Sequence, residues 1–241
     1  MVTVSYTRRP AIRADRDCTF VAGDADMVFG EKFGRLIYFE NLGSTLSPVF
    51  VQKSGDDNPF DGIDVGSFSE PALADLDNDG DLDLVAGDGD GMLHFLENTG
   101  TSTAPVFVQR TGSENPFDGV SSYSKPALAD LDNDGDLDLV VGGGYFENTG
   151  TSTAPEFVQR MGSDNPFDGI GSGALADLDG DGDLDLVKEG SYFENVGSAR
   201  VPRFMQRFED LNPLNGIDYL YLHPAALLDL DGDGTLKVLR P

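Results

Sequence analysis

Apolar and polar positions alternate along most of the chain in short runs. LDLVAG, LDLVVG and LDLVKE follow one another at Leu82, Leu137 and Leu184. Each has the period of two that marks a half-buried strand. LIYFEN at Leu36, MLHFLEN at Met92, and YFEN at Tyr145 and Tyr192 form a second family of runs. PVFVQK, VFVQR, EFVQR and RFMQR form a third. Gly, Pro, Asn and Asp separate the runs, and these are the residues that tight turns require. The pattern predicts an all-β chain of short strands.

The runs recur about every fifty residues. The repeats are 10–62, 71–120, 126–170, 174–217 and a partial one at 224–241, all within a single domain 1–241. The clearest, 71–120, reads as four strands: PALAD, LDLVAG, MLHFLEN and VFVQR. Four strands per unit at this period is a propeller pattern. In repeat 10–62 the start is decayed. Pro10-Ala11-Ile12 looks like Pro71-Ala72-Leu73, Asp15 and Asp17 look like remnants of a loop, and Asp26 matches Asp83. From Val85 to Asn98 is thirteen positions, but Val140 to Asn148 and Val187 to Asn195 are eight each. The shortening predicts a stubby hairpin at one rim of the third and fourth repeats. The final two strands, AALLD and TLKVL, are expected to pair with LIYFEN and PVFVQK and close a ring. The expected architecture is a β-propeller of four to five antiparallel four-stranded blades, as a complete or incomplete ring.

Between the first two strands of three repeats lies the same acidic loop: DLDNDGDLDLV from Asp75, DLDNDGDLDLV from Asp130 and DLDGDGDLDLV from Asp177. Two carboxylates about 4 Å apart repel by roughly 4 kcal/mol at an effective dielectric near 20, so such a cluster calls for a cation. The donors are all oxygen, which suits a hard ion, and a flexible loop suits calcium better than magnesium. Side-chain ligands are expected at positions 1, 3, 5 and 9: Asp75, Asp77, Asp79 and Asp83; Asp130, Asp132, Asp134 and Asp138; Asp177, Asp179, Asp181 and Asp185. Position 7 (Asp81, Asp136, Asp183) is expected to lend its backbone carbonyl. Gly80, Gly135 and Gly182 stand at the sharp turn. The start matches an EF-hand loop, but position 12 is Ala86, Val141 or Lys188 rather than Glu, and the loop leaves through a strand instead of a helix. A fourth copy, DLDGDGTLKVL from Asp229, carries Lys237 at position 9 and is expected to bind weakly or not at all.

Aspartate loops of the form DxDxDGxxD between strands, together with FLENTGTSTAPVFVQR and YFENTGTSTAPEFVQR, resemble FG-GAP repeats and the related VCBS-type repeats. The resemblance implies calcium-binding blades like those in the head of integrin alpha chains. It implies a non-catalytic interaction or adhesion module, extracellular or at the cell surface, with a protein or glycan ligand. A lectin-like propeller, or a fragment of a polysaccharide-active enzyme, is the alternative.

Composition narrows the partners. Net charge is −27, which opposes binding to nucleic acid or docking on anionic membrane. No apolar run approaches the roughly eighteen residues that would span a bilayer. Cys18 is single and excludes an internal disulfide. MVTVSYTRRPAIRADRD has no apolar stretch typical of a signal peptide. His94 and His223 lack metal-binding neighbours and are expected to be packed or solvent-facing. No unique polar cluster stands out as a catalytic site. Phe39, Phe95, Phe146 and Phe193, with Tyr38, Tyr145 and Tyr192, are expected to form core between blades, with a sugar-stacking platform as the sharper possibility. In the NPFDG turns, Asp61, Asp118 and Asp168 are expected to cap.

Overall fold

The structure is a computed structural model. It describes residues 3–8, 25–43, 47, 49–122, 125–188 and 190–214, and the strand pair 227–228 and 237–238. For residues 3–8, 25, 227–228 and 237–238 only the backbone is described. Four antiparallel four-stranded sheets follow one another as the blades of a four-bladed β-propeller. Blade 1 contains β1 (Thr3–Arg8), β2 (Ala25–Gly30), β3 (Leu36–Asn41) and β4 (Phe50–Lys53). Blade 2 contains β5 (Glu70–Ala74), β6 (Asp83–Gly87), β7 (Leu93–Asn98) and β8 (Phe107–Arg110). Blade 3 contains β9 (Ala127–Ala129), β10 (Asp138–Val141), β11 (Gly144–Asn148) and β12 (Phe157–Arg160). Blade 4 contains β13 (Ala174–Ala176), β14 (Asp185–Lys188), β15 (Ser191–Asn195) and β16 (Phe204–Arg207). Among the described residues, strands β17 (Leu227–Leu228) and β18 (Lys237–Val238) pair only with each other. The innermost strands of successive blades, β1 with β5, β5 with β9 and β9 with β13, lie side by side.

Two expectations change here. The first sheet begins at Thr3, upstream of the Pro10-Ala11-Ile12 segment read as its first strand. Its register sets Thr7 opposite Asp26, as Ala74 stands opposite Asp83. Arg8 therefore takes the place that Asp75 holds in blade 2. An insertion between β1 and β2 hid this spacing, and residues 9–24, with Asp15, Asp17 and Cys18, lie outside the described residues. Nor do the last two strands complete blade 1. Both edges of β3 are already taken, by β2 and β4. In the last pair, Leu228 faces Lys237 in the register of Ala74 and Asp83; the Asp229 loop and His223 lie outside the described residues.

The blades pack through the second and third strands. All five residues of β6 are buried. Leu84 and Leu96 face blade 1, against Val28 and Tyr38, while Val85 and Phe95 face blade 3, against Leu139 and Phe146. The NPF segments lock one blade to the next. Phe60 stacks on Phe107 of the following blade at 4.4 Å between ring centroids, Phe117 on Phe157 at 4.8 Å, and Phe167 leans on Phe204 at 4.9 Å. These segments are capped by Asn, not Asp. Asn58, Asn115 and Asn165 accept from the N–H two residues on, and donate to the carbonyls of Leu36, Leu93 and Gly143. Asp61, Asp118 and Asp168 are exposed.

Of the recurring aromatics, Tyr38, Phe95, Tyr145, Phe146 and Tyr192 are core, as expected, while Phe39 and Phe193 are half-buried. Tyr38, Phe95, Tyr145 and Tyr192 are buried at one shared position and offer no open platform for a sugar. The stubby hairpin is also present: β10 turns into β11 through Gly142 and Gly143, both in the left-handed region at φ 59 and 87, which suits a two-residue hairpin. Phe117→Ala should destabilise the fold by about 3–5 kcal/mol, because it empties a fully enclosed site and removes the stack on Phe157. Urea unfolding should show a lower midpoint at an unchanged slope.

Candidate metal centre

Each acidic loop joins the first and second strands of its blade, at the end opposite the hairpin. Side-chain oxygens of Asp75, Asp77 and Asp79 lie within 4.8 Å of one another; so do those of Asp130, Asp132 and Asp134, and of Asp177, Asp179 and Asp181. The backbone explains the gathering. Asn78 and Asn133, at position 4, have φ 57, and Gly180 takes their place at φ 79. Asn and Gly tolerate this left-handed geometry best. Position 6 is likewise left-handed, at φ 94 in Gly80, 100 in Gly135 and 94 in Gly182. With the chain turned twice, Asp75 accepts the N–H groups of Asp79 and Gly80 at 3.1 Å each, and Asp79 accepts that of Asp81 at 2.9 Å. The second loop repeats these bonds, and the third keeps two of them, from Gly182 N–H to Asp177 and from Asp183 N–H to Asp181.

Position 9 has a different place. Asp83, Asp138 and Asp185 are not among the gathered oxygens. They are buried at the start of the second strand. Asp83 accepts the N–H of Leu76 at 3.1 Å and of Asn98 at 2.8 Å. Asp138 accepts those of Leu131 and Asn148, and Asp185 those of Leu178 and Asn195. Tyr145 donates to Asp138 and Tyr192 to Asp185; blade 2 has Phe95 at this level. Blade 1 has lost the loop spacing yet keeps the tie, with Tyr38 and the N–H of Asn41 donating to Asp26 at 2.6 and 2.8 Å. Position 9 thus ties loop and strands together, a role the pattern alone did not give it. Asp81, Asp136 and Asp183 stand half-buried at the loop exit, outside the gathered groups.

Electrostatics follow this division. Burial pushes Asp83 and Asp138 up to about 7, partly offset by the N–H groups they accept. Asp185 is raised for the same reason. Burial and then the charge of the neighbouring carboxylates raise Asp77 and Asp132; Asp179 is raised as well, by burial first. Three crowded oxygen donors per loop, two of each three drawn from positions 1 and 3, fit a hard divalent cation. The identity of the metal rests on chemistry and is taken up below.

The pattern did not single out the third-strand asparagines. Asn98, Asn148 and Asn195 are buried, and each side-chain oxygen accepts two backbone N–H groups of the NTG-type loop beside the acidic loop. Their signal was the repeated EN before a turn. Nor was a unique polar cluster expected, yet blade 2 has one. His94 Nε2 lies 2.9 Å from Asp88, and Gln109 donates to His94 Nδ1 at 3.1 Å. Burial pushes Asp88 up, but hydrogen bonds from His94 and from the N–H groups of Met92 and Asp90 outweigh it and hold the carboxyl below its ordinary range. Both ring nitrogens are thus partnered, and His94 is a packed residue.

Four four-stranded blades, three of them with an aspartate loop between the first and second strands, define a β-propeller of repeat type. Residues 75–141, spanning two of the three intact loops, match the FG-GAP-like repeat family, and the chain fits an FG-GAP-type repeat protein. No curated protein matches the chain.

The position-9 tie can be separated from metal binding. Asp83→Ala should leave two buried N–H groups without an acceptor, at about 1–3 kcal/mol each. Thermal melts in chelator should therefore show the deficit undiminished. Asp77→Asn should remove one loop's share of the calcium-dependent rise in melting temperature and leave the metal-free protein as stable or slightly more so. Asp81→Ala should be near neutral in both conditions.

The metal-free protein should also respond to pH in a defined direction. The folded value of Asp83 and Asp138, about 7, lies above the unfolded value near 3.9. Their neutral form favours the fold. This stabilisation is fully present below about pH 4 and is lost as pH rises through about 7. In chelator the melting temperature should fall from pH 5 to pH 8, and Asp83→Asn, which mimics the neutral carboxyl, should flatten that fall.

Proposed function

We propose that the chain is a non-catalytic interaction module, an adhesion-type propeller, whose acidic loops bind calcium as a structural ion. The observation that carries this reading is the threefold recurrence of a carboxylate triad at one blade position. A catalytic site needs to occur once; a structural device recurs with the blade. The donor set is oxygen alone, and the loops carry Gly and Asn turns that adapt to a large ion more readily than to the strict octahedron of magnesium. Asp75, Asp77 and Asp79, and their counterparts at Asp130 and Asp177, would hold the ion, which would neutralise their mutual repulsion. An ion that binds only the folded chain stabilises it by about 2.7 kcal/mol per site at a hundredfold excess over its dissociation constant.

The ligand of such a module is a protein or a glycan, and an extracellular or cell-surface setting suits it because calcium is plentiful there. Among the described residues no helix is long and apolar enough to cross a membrane. Native mass spectrometry or isothermal titration should count three calcium ions per chain in millimolar calcium. Zinc and magnesium should raise the melting temperature less than equimolar calcium. A count of zero or one, or a larger rise with zinc, contradicts the proposal.

A further inference from the structure

The rim opposite the acidic loops differs from blade to blade. Hairpin connections of five residues, 31–35 and 88–92, stand on blades 1 and 2, while blade 3 turns through Gly142 and Gly143 alone. Extra residues in a repeat array collect on one face, and that face is often the one that binds. Backbone bonds knit the raised part together. Phe68 N–H donates to Lys32 at 3.2 Å, Val65 N–H to Gly34 at 2.9 Å, and Gly89 N–H to Ser67 at 2.6 Å.

Large apolar side chains crown this rim. Phe33 is 73% exposed, and Phe68 and Met92 are 54% exposed each. Phe68 has φ 56. A bulky aromatic enters the left-handed region only under strain, and strain of this kind collects at ligand sites. Here it aims an aromatic ring into solvent. Lys32 Nζ lies 5.8 Å from the centroids of both the Phe33 and the Phe68 ring, within the range of a cation–π contact. Among the described residues Lys32 makes no ion pair. Glu31, Asp64 and Asp90 line the same hairpins and linker, with Arg35 paired to Glu31 at 3.5 Å, so among the described residues Asp64 and Asp90 supply the rim's unpaired acidic charge on a chain of net charge −27.

We propose that Phe33 and Phe68 form a two-ring clamp for a cationic side chain, and that this rim docks a lysine- or arginine-bearing segment of a partner protein. Lys32 holds the place from within the chain, and the incoming cation displaces it. The acidic surroundings favour a basic segment and disfavour an anionic one. The proposal rests on the reading of the chain as an interaction module and gives the partner its chemistry.

Acetylated, amidated tetralysine is the probe, titrated calorimetrically at physiological ionic strength with calcium in excess, so that the acidic loops are filled. Phe33→Ala and Phe68→Gly should each weaken binding about three- to fivefold, with no change in net charge. Phe68→Gly should keep or raise the melting temperature, since glycine takes this backbone freely, so a loss of binding cannot be ascribed to misfolding. Lys32→Ala should tighten binding, whereas Arg203→Ala, the same charge change on the exposed surface of blade 4, should not. Ring variants that bind tetralysine as the parent does, or tetraglutamate binding at least as well as tetralysine, overturn the clamp. If the clamp holds the peptide but the chain captures no protein, only the wider reading as an interaction module fails.

Discussion

A buried carboxylate at or next to the start of the second strand ties every blade. In blades 2, 3 and 4 it accepts one N–H from the strand-to-loop junction and another from the end of the third strand, so three consecutive segments meet on one side chain. In blades 1, 3 and 4 a tyrosine donates to it as well. Blade 1 shows that this bond network does not depend on the DxDxDG spacing. Its segment between β1 and β2 has lost the DxDxDG spacing, and Arg8 stands at the register of Asp75, yet Asp26 still holds Tyr38 and Asn41. The acidic triad is an addition to a blade that is already tied.

The tie also sets up the propeller. It fixes where the second strand starts, and hence which side chains face each neighbouring blade. In blade 2 the alternation sends Leu84 and Ala86 one way and Val85 the other. The NPF phenylalanines then close the gap between blades, each held by an asparagine that reaches back to its own third strand. A four-bladed ring has sharply wedged blades, and an aromatic plug fills the space at each of the three seams from blade 1 to blade 4. The asymmetry lies elsewhere, on the hairpin rim, where blades 1 and 2 rise above blade 3 and carry exposed rings.

Much of this was legible in the sequence. Strands of period two, the repeat length, the acidic triads and the shortened hairpins all leave local patterns, and each was read in place. What failed needed tertiary information. DxDxDGxxD does not show that Asp83, besides any part in the acidic loop, accepts the N–H groups of Leu76 and Asn98. Thr3–Arg8 was missed because the insertion before Asp26 breaks the spacing, and Pro10-Ala11-Ile12 imitates the strand start. NPFDG has two candidate caps, and the structure chose Asn115 over Asp118 because the amide can donate to Leu93 as well as accept from Phe117. The Asp88–His94–Gln109 chain joins residues six and fifteen positions apart in its two steps, on two strands and a hairpin, and the strain at Phe68 has no signature in the residue type.

The central claim is that the position-9 carboxylate is a metal-independent tie, and blade 1 tests it most directly because its loop lacks the triad pattern. The measurement is the urea midpoint of Asp26→Ala beside that of Asp138→Ala, each with calcium and with chelator. The account predicts that Asp26→Ala lowers the midpoint about as much as Asp138→Ala does in chelator, and by the same amount whether or not calcium is present. An Asp26→Ala protein as stable as the parent, or an Asp138→Ala deficit that vanishes in chelator, would contradict it.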